Sequence, residues 1–105
     1  MTIPITRKGD LEVGHSCLTI KLRAGHFGSV FANGKNVSGA GHKNTPHTYK
    51  PGLICISHKP QGLKPTTRSV FAEGKLVGRI GDLTCVGPDG PVEVVQGSPN
   101  VFAGG

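Results

Sequence analysis

Five His and three Cys are the side chains of this 105-residue chain best able to do chemistry. They stand at His15, His26, His42, His47 and His58, and at Cys17, Cys55 and Cys85. Imidazole and thiolate together are donors that suit zinc. No CxxC pair and no His-Glu-x-x-His segment occurs, so the local spacing spells neither a zinc knuckle nor a zinc hydrolase. Six Asp and Glu are few for acid–base work, and no Ser or Cys lies in a nucleophile elbow. The chain is therefore not expected to be an enzyme. Cys17 and Cys55 sit among apolar neighbours, in Cys17-Leu18-Thr19-Ile20 and Leu53-Ile54-Cys55-Ile56, and are expected to act as small buried hydrophobes. An odd number of Cys rules out a complete disulfide framework. Two His share an offset: His15 follows Asp10 by five residues and His47 follows His42 by five.

The elements that must position these groups are short. There are 17 Gly and 8 Pro, about a quarter of the chain, which excludes a helical bundle because both residues are poor in helix interiors. Collagen is excluded too, since its strict Gly period is missing. The net charge of +6 comes from 12 Lys and Arg against 6 Asp and Glu. Such a balance invites an anionic partner, whether nucleic acid, an acidic membrane surface or an acidic protein face. The basic residues form no run, however, and four Phe with one Tyr make a poor platform for stacking bases. Met1 to Asp10 holds no apolar core for a signal peptide. No apolar run approaches the roughly 18 residues of a transmembrane segment. Synthesis in the cytoplasm is expected, with any export by another route.

An internal repeat organises the chain and argues against disorder. Ser29-Val30-Phe31-Ala32-Asn33-Gly34-Lys35-Asn36-Val37 matches Ser69-Val70-Phe71-Ala72-Glu73-Gly74-Lys75-Leu76-Val77, and Gly97-Ser98-Pro99-Asn100-Val101-Phe102-Ala103-Gly104 is a third, truncated copy. Arg7-Lys8-Gly9-Asp10-Leu11 resembles Arg79-Ile80-Gly81-Asp82-Leu83, with Gly41-His42 in the corresponding middle place. Each full copy reads as a β-hairpin, because Asn-Gly between short apolar strands is the strongest two-residue hairpin signal. The return strands are expected at 35–38 and 75–80, and further strands at 17–22, 52–56 and 92–96. Nothing reads as a helix. Three modules too small to bury a face alone must pack on each other, either about a common axis or as a linear stack of hairpins.

These residues resemble the PAAR-repeat family, the small conical proteins that cap the spike of type VI secretion systems and of contractile phage tails. The resemblance spans essentially the whole chain and rests on Ser-Val-Phe-Ala-x-Gly-Lys twice, the Arg-x-Gly-Asp elements and Gly97-Ser98-Pro99-Asn100-Val101-Phe102. The Pro-Ala-Ala-Arg tetrapeptide itself is not kept: Asn36-Val37-Ser38-Gly39 and Leu76-Val77-Gly78-Arg79 stand in its places. His42 also replaces the middle Asp. The resemblance implies a single all-β conical domain over residues 1–105, built of short hairpins in pseudo-threefold arrangement with a metal near the apex. It further implies His15, His47, His58 and Cys85 as the metal ligands, with His42 an alternative to His47. Zinc is the expected ion, structural rather than catalytic, and the donor set also accommodates iron.

The function so implied is a tip that sharpens a trimeric β-helical spike, one tip per trimer. The partner would be a valine-glycine-repeat spike or a phage central spike, on a secretion apparatus or a virion, and the target outer membrane would be touched only transiently during piercing. A second class, a zinc-dependent nucleic-acid-binding module, is prompted by charge and His content. It lacks a recognition helix, paired knuckles and aromatics, so no nucleic-acid partner is expected.

Overall fold

A computed structural model describes residues 2–17, 19–85 and 90–105. Among the described residues every regular element is a strand, and the longest has four residues. In chain order they are β1 (Thr2–Pro4), β2 (Leu11–Gly14), β3 (Lys21–Leu22), β4 (Phe31–Ala32), β5 (Lys35–Asn36) and β6 (His47–Tyr49). Then follow β7 (Ile56–His58), β8 (Phe71–Ala72), β9 (Lys75–Leu76), β10 (Leu83–Thr84), β11 (Val92–Val94) and β12 (Phe102–Gly104). No helix among them is long and apolar enough to cross a membrane.

The two repeated hairpins form as their turn residues dictate. Asn33 and Gly34 have φ of 57° and 76°, Glu73 and Gly74 of 49° and 78°, and both central positions at positive φ define the tight turn that matches strand twist. β4 pairs with β5 and β8 with β9, Phe31 opposite Asn36 and Phe71 opposite Leu76. The third copy has a return strand as well. The N-terminus supplies it: β1 pairs antiparallel with β12, with Pro4 opposite Phe102.

Closed rings of hydrogen bonds relate the three units and decide for a common axis over a linear stack. Thr6 N–H donates to Gly78 O at 3.0 Å, Gly78 to Ser38 at 2.8 Å, and Ser38 back to Thr6 at 3.1 Å. A second ring repeats the pattern, from Lys8 to Asn36, Ala40 to Leu76 and Ile80 to Pro4, at 2.8, 2.9 and 3.0 Å. The side chains close a third circuit. The Asn33 amide donates to Asn100, the Ser29 hydroxyl and N–H donate to Glu73, and the Ser69 hydroxyl donates to Gly105 O. Each turn thus grips the start of a neighbouring copy. The molecule is elongated, 40 × 24 × 23 Å, with two nearly equal short axes.

The apolar core is threefold in composition as well. Ala32, Ala72 and Ala103 meet Val37, Val77 and Ile5, with Phe27 added, while Val30, Val70 and Val101 pack partly buried against them. Of the adjacent Val and Phe in each copy, Val therefore faces the core. Phe31 and Phe71 are each 58% exposed and Phe102 is 49% exposed.

The remaining strands differ in extent from expectation. β10, β11, β2 and β3 form one four-stranded sheet in that order. The strand expected over 17–22 is confined to Lys21–Leu22, and Leu18 lies outside the described residues. That expected at 52–56 begins only at Ile56, because residues 51–54 bend. The return strands stop at Asn36 and Leu76 and continue as single bridges, since the following residues turn inward to make the rings.

Candidate metal centre

The Gly-Asp corners set the geometry from which the candidate ligands depart. Arg7 N–H donates to Asp10 Oδ2 at 2.7 Å and Arg79 N–H to Asp82 Oδ2 at 2.8 Å. Gly9 and Gly81 precede them with φ of 88° and 96°. In the middle unit Gly39 N–H donates to His42 Nδ1 at 2.9 Å, so a neutral imidazole fills the role of the carboxylate. His42 also packs edge-on against Phe27, with ring centroids 4.5 Å apart. Burial, reinforced by the Arg23, Lys75 and His26 charges, lowers its pKa below 6.5. That suits the bond, because Nδ1 can accept only while unprotonated. His42 thus belongs to the corner.

Beyond each corner the chain delivers a candidate ligand. His15 follows β2 directly and has φ of 59°; Cys85 follows β10 directly and has φ of 39°. Left-handed backbone at a non-glycine residue costs energy and clusters at functional positions. His47 opens β6 and His58 ends β7, directly opposite each other in the register. The metal-ligating atoms of His15, His47, His58 and Cys85 all lie within 4.8 Å of one another, and the group could hold a metal ion. The three imidazole centroids are 5.2, 5.2 and 4.9 Å apart, and Tyr49 covers His58 at 4.6 Å.

Chemistry and spacing both fit a tetrahedral ion. Zn–N and Zn–S bond lengths place two ligand atoms of one such ion roughly 3.3–3.7 Å apart. Cys85 Sγ and His47 Nε2 are 3.5 Å apart. His47 Nδ1 lies 2.7 Å from Thr45 O, to which it donates as N–H, leaving the Nε2 lone pair aimed at the cluster. Burial, then the neighbouring His47 and His15, lower the His58 pKa, which favours the neutral form that ligates. Four protein donors would fill such a site and leave no position for a reacting water.

A polar network that the sequence did not disclose supports the cluster. The Asn44 amide donates to Cys85 Sγ at 3.5 Å and to Glu12 Oε1 at 3.0 Å. Glu12 pairs with Arg23 at 2.6 Å, both side chains fully buried. Arg23 donates in turn to Ser38 Oγ, whose backbone belongs to the Thr6–Gly78–Ser38 ring. Buried charges are tolerated when every partner is supplied, as here. No local spacing signals this network, because its members lie far apart in sequence and meet through tertiary contacts such as the Arg23–Asn44 bridge.

The expectation for the other two cysteines is corrected. Cys17 and Cys55 form a disulfide across 38 residues, and Cys55 is exposed rather than buried. The bend over 51–54 carries Cys55 out of any core and brings it against the segment after His15. Cys85 alone is a free, buried thiol. His26 lies apart from the cluster, its Nδ1 3.1 Å from Ala24 O.

Compared with known protein families and with curated proteins, the chain matches none.

Proposed function

We propose that this chain is a metal-stabilised structural tip that caps a trimeric β-helical spike, as in PAAR-repeat proteins of type VI secretion systems and contractile phage tails. The observation that carries the proposal is the threefold display of Phe31, Phe71 and Phe102 on three linked hairpins. A monomer has no internal use for three equivalent half-exposed aromatics, whereas a trimer's end offers three equivalent apolar sites on the same axis. The short strands β4, β8 and β12 also leave backbone edges for strand addition to a β-helix. The metal, zinc by donor type, would join loops that so small a core cannot hold. A rigid narrow end would then concentrate force during envelope piercing. The basic charge would favour approach to an anionic outer leaflet.

The test is co-purification with a trimeric β-helical spike, with stoichiometry read by mass photometry. One chain per trimer is expected for the wild type. Phe31→Asp with Phe71→Asp is expected to abolish the complex while leaving thermal stability nearly unchanged. Undiminished assembly by that folded variant would contradict the proposed face.

A further inference from the structure

We propose that the Cys17–Cys55 disulfide sets the metal affinity of the His15, His47, His58 and Cys85 cluster, making the centre a redox-dependent clamp. The inference rests on reading that cluster as a metal centre and concerns its regulation. Cys17 follows His15 by two residues, and Cys55 precedes His58 by three. The bond therefore crosslinks the two segments that deliver three of the four candidate ligands. Among the described residues β6 and β7, which carry His47 and His58, form a two-stranded sheet of their own. An isolated two-stranded hairpin is marginal in water. At its base Thr45 bonds to Leu22, and at its side Thr48 touches Thr19. The disulfide adds a covalent tie between the hairpin and the end of β2. With the bond formed, the imidazoles are brought together before the ion arrives, and binding loses less conformational freedom.

The exposed position of Cys55 opens the bond to exchange. A dithiol reductant attacks the Cys55 sulfur as thiolate, Cys17 leaves as thiolate, and the second reductant thiol displaces Cys55. Two electrons and two protons end on Cys17 and Cys55, and the reductant closes to its own disulfide. Cys85, a buried free thiol, takes no part. Linkage makes the coupling reciprocal: whatever factor the disulfide adds to metal affinity, bound metal adds to the disulfide's resistance to reduction. A tenfold coupling corresponds to about 30 mV for this two-electron couple.

The experiment titrates three preparations with Zn²⁺ against a chromophoric chelator: oxidised wild type, wild type reduced with a water-soluble phosphine, and the Cys17→Ser, Cys55→Ser double variant. Thiols counted in denaturant should rise from one to three on reduction of the wild type. The Zn²⁺ dissociation constant is expected to rise about tenfold or more in both the reduced protein and the double variant. Equal affinity in all three overturns the clamp while leaving the metal centre standing. Tighter binding after reduction overturns it as well, with the freed thiols acting as ligands. No Zn²⁺ uptake by the oxidised wild type overturns the metal centre and the clamp together. Should the double variant not fold, a redox titration of the wild type with and without Zn²⁺ decides, and an unchanged midpoint overturns the proposal.

Discussion

His42 fills a corner that Asp10 and Asp82 fill in the other two units, and it does so with a group that titrates near neutrality. Its pKa lies below 6.5, chiefly through burial and then through the charges of Arg23, Lys75 and His26, with Glu73 opposing. Below pH 6.5 the unfolded chain therefore binds a proton more readily than the folded one. The stability of the corner is fully present above that pH and falls as pH drops toward the folded pKa. Protonation at Nδ1 would also replace an accepted bond with a repulsive contact to the Gly39 N–H. We predict that His42→Asp loses less stability than the wild type between about pH 7.5 and about pH 5, measured by denaturant melts in chelator. Equal losses in the two proteins would contradict this role. The substitution makes the middle corner like its neighbours and leaves the cluster ligands in place.

The hairpins and corners are where the repeat was most legible. Asn33-Gly34, Glu73-Gly74 and the Gly-Asp corners are local turn chemistry, so their positions could be read directly. His15 and His47 share one offset from Asp10 and His42, and their ligand atoms lie within 4.8 Å of those of Cys85 and of His58, which faces His47 across the β6–β7 register. Pairings between remote segments were not legible. The Cys17–Cys55 bond, the Glu12–Arg23 pair and the partnership of β1 with β12 depend on how units close on one another, which no local pattern encodes. Closure makes its own demand at Gly78, where an added Cβ would collide with the Leu63 side chain, Thr6 Cγ2 and Ser38 O. Gly78→Ala is predicted to cost about 1–3 kcal/mol by overpacking, read from urea melts. Gly28→Ala, with open space around the new methyl, should change stability by less than about 0.5 kcal/mol. Comparable stability of the two variants would argue against a tightly packed axis.

Taken whole, the molecule holds three small units on one axis around an apolar cluster that, among the described residues, has seven buried members, three of them alanines. Side chains as small as alanine add little apolar burial, and residues spent on turns add little more. Three devices add to it: the hydrogen-bond rings, the terminal β1–β12 pairing and the disulfide. The His/Cys cluster would be the fourth, and the high Gly and Pro content gives it a purpose, because chain spent on turns contributes little core. The tip reading requires that rigidity, since a narrow end that frays transmits no force. It follows that metal content and stability should rise and fall together. The most direct measurement is elemental analysis paired with thermal melting of the purified protein, of its chelated form, and of His15→Ala and Cys85→Ala. One zinc per chain is predicted in the wild type, with metal and a large share of thermal stability lost together in the chelated form and in both variants. A metal-free preparation that melts at the same temperature as the loaded protein would contradict the account.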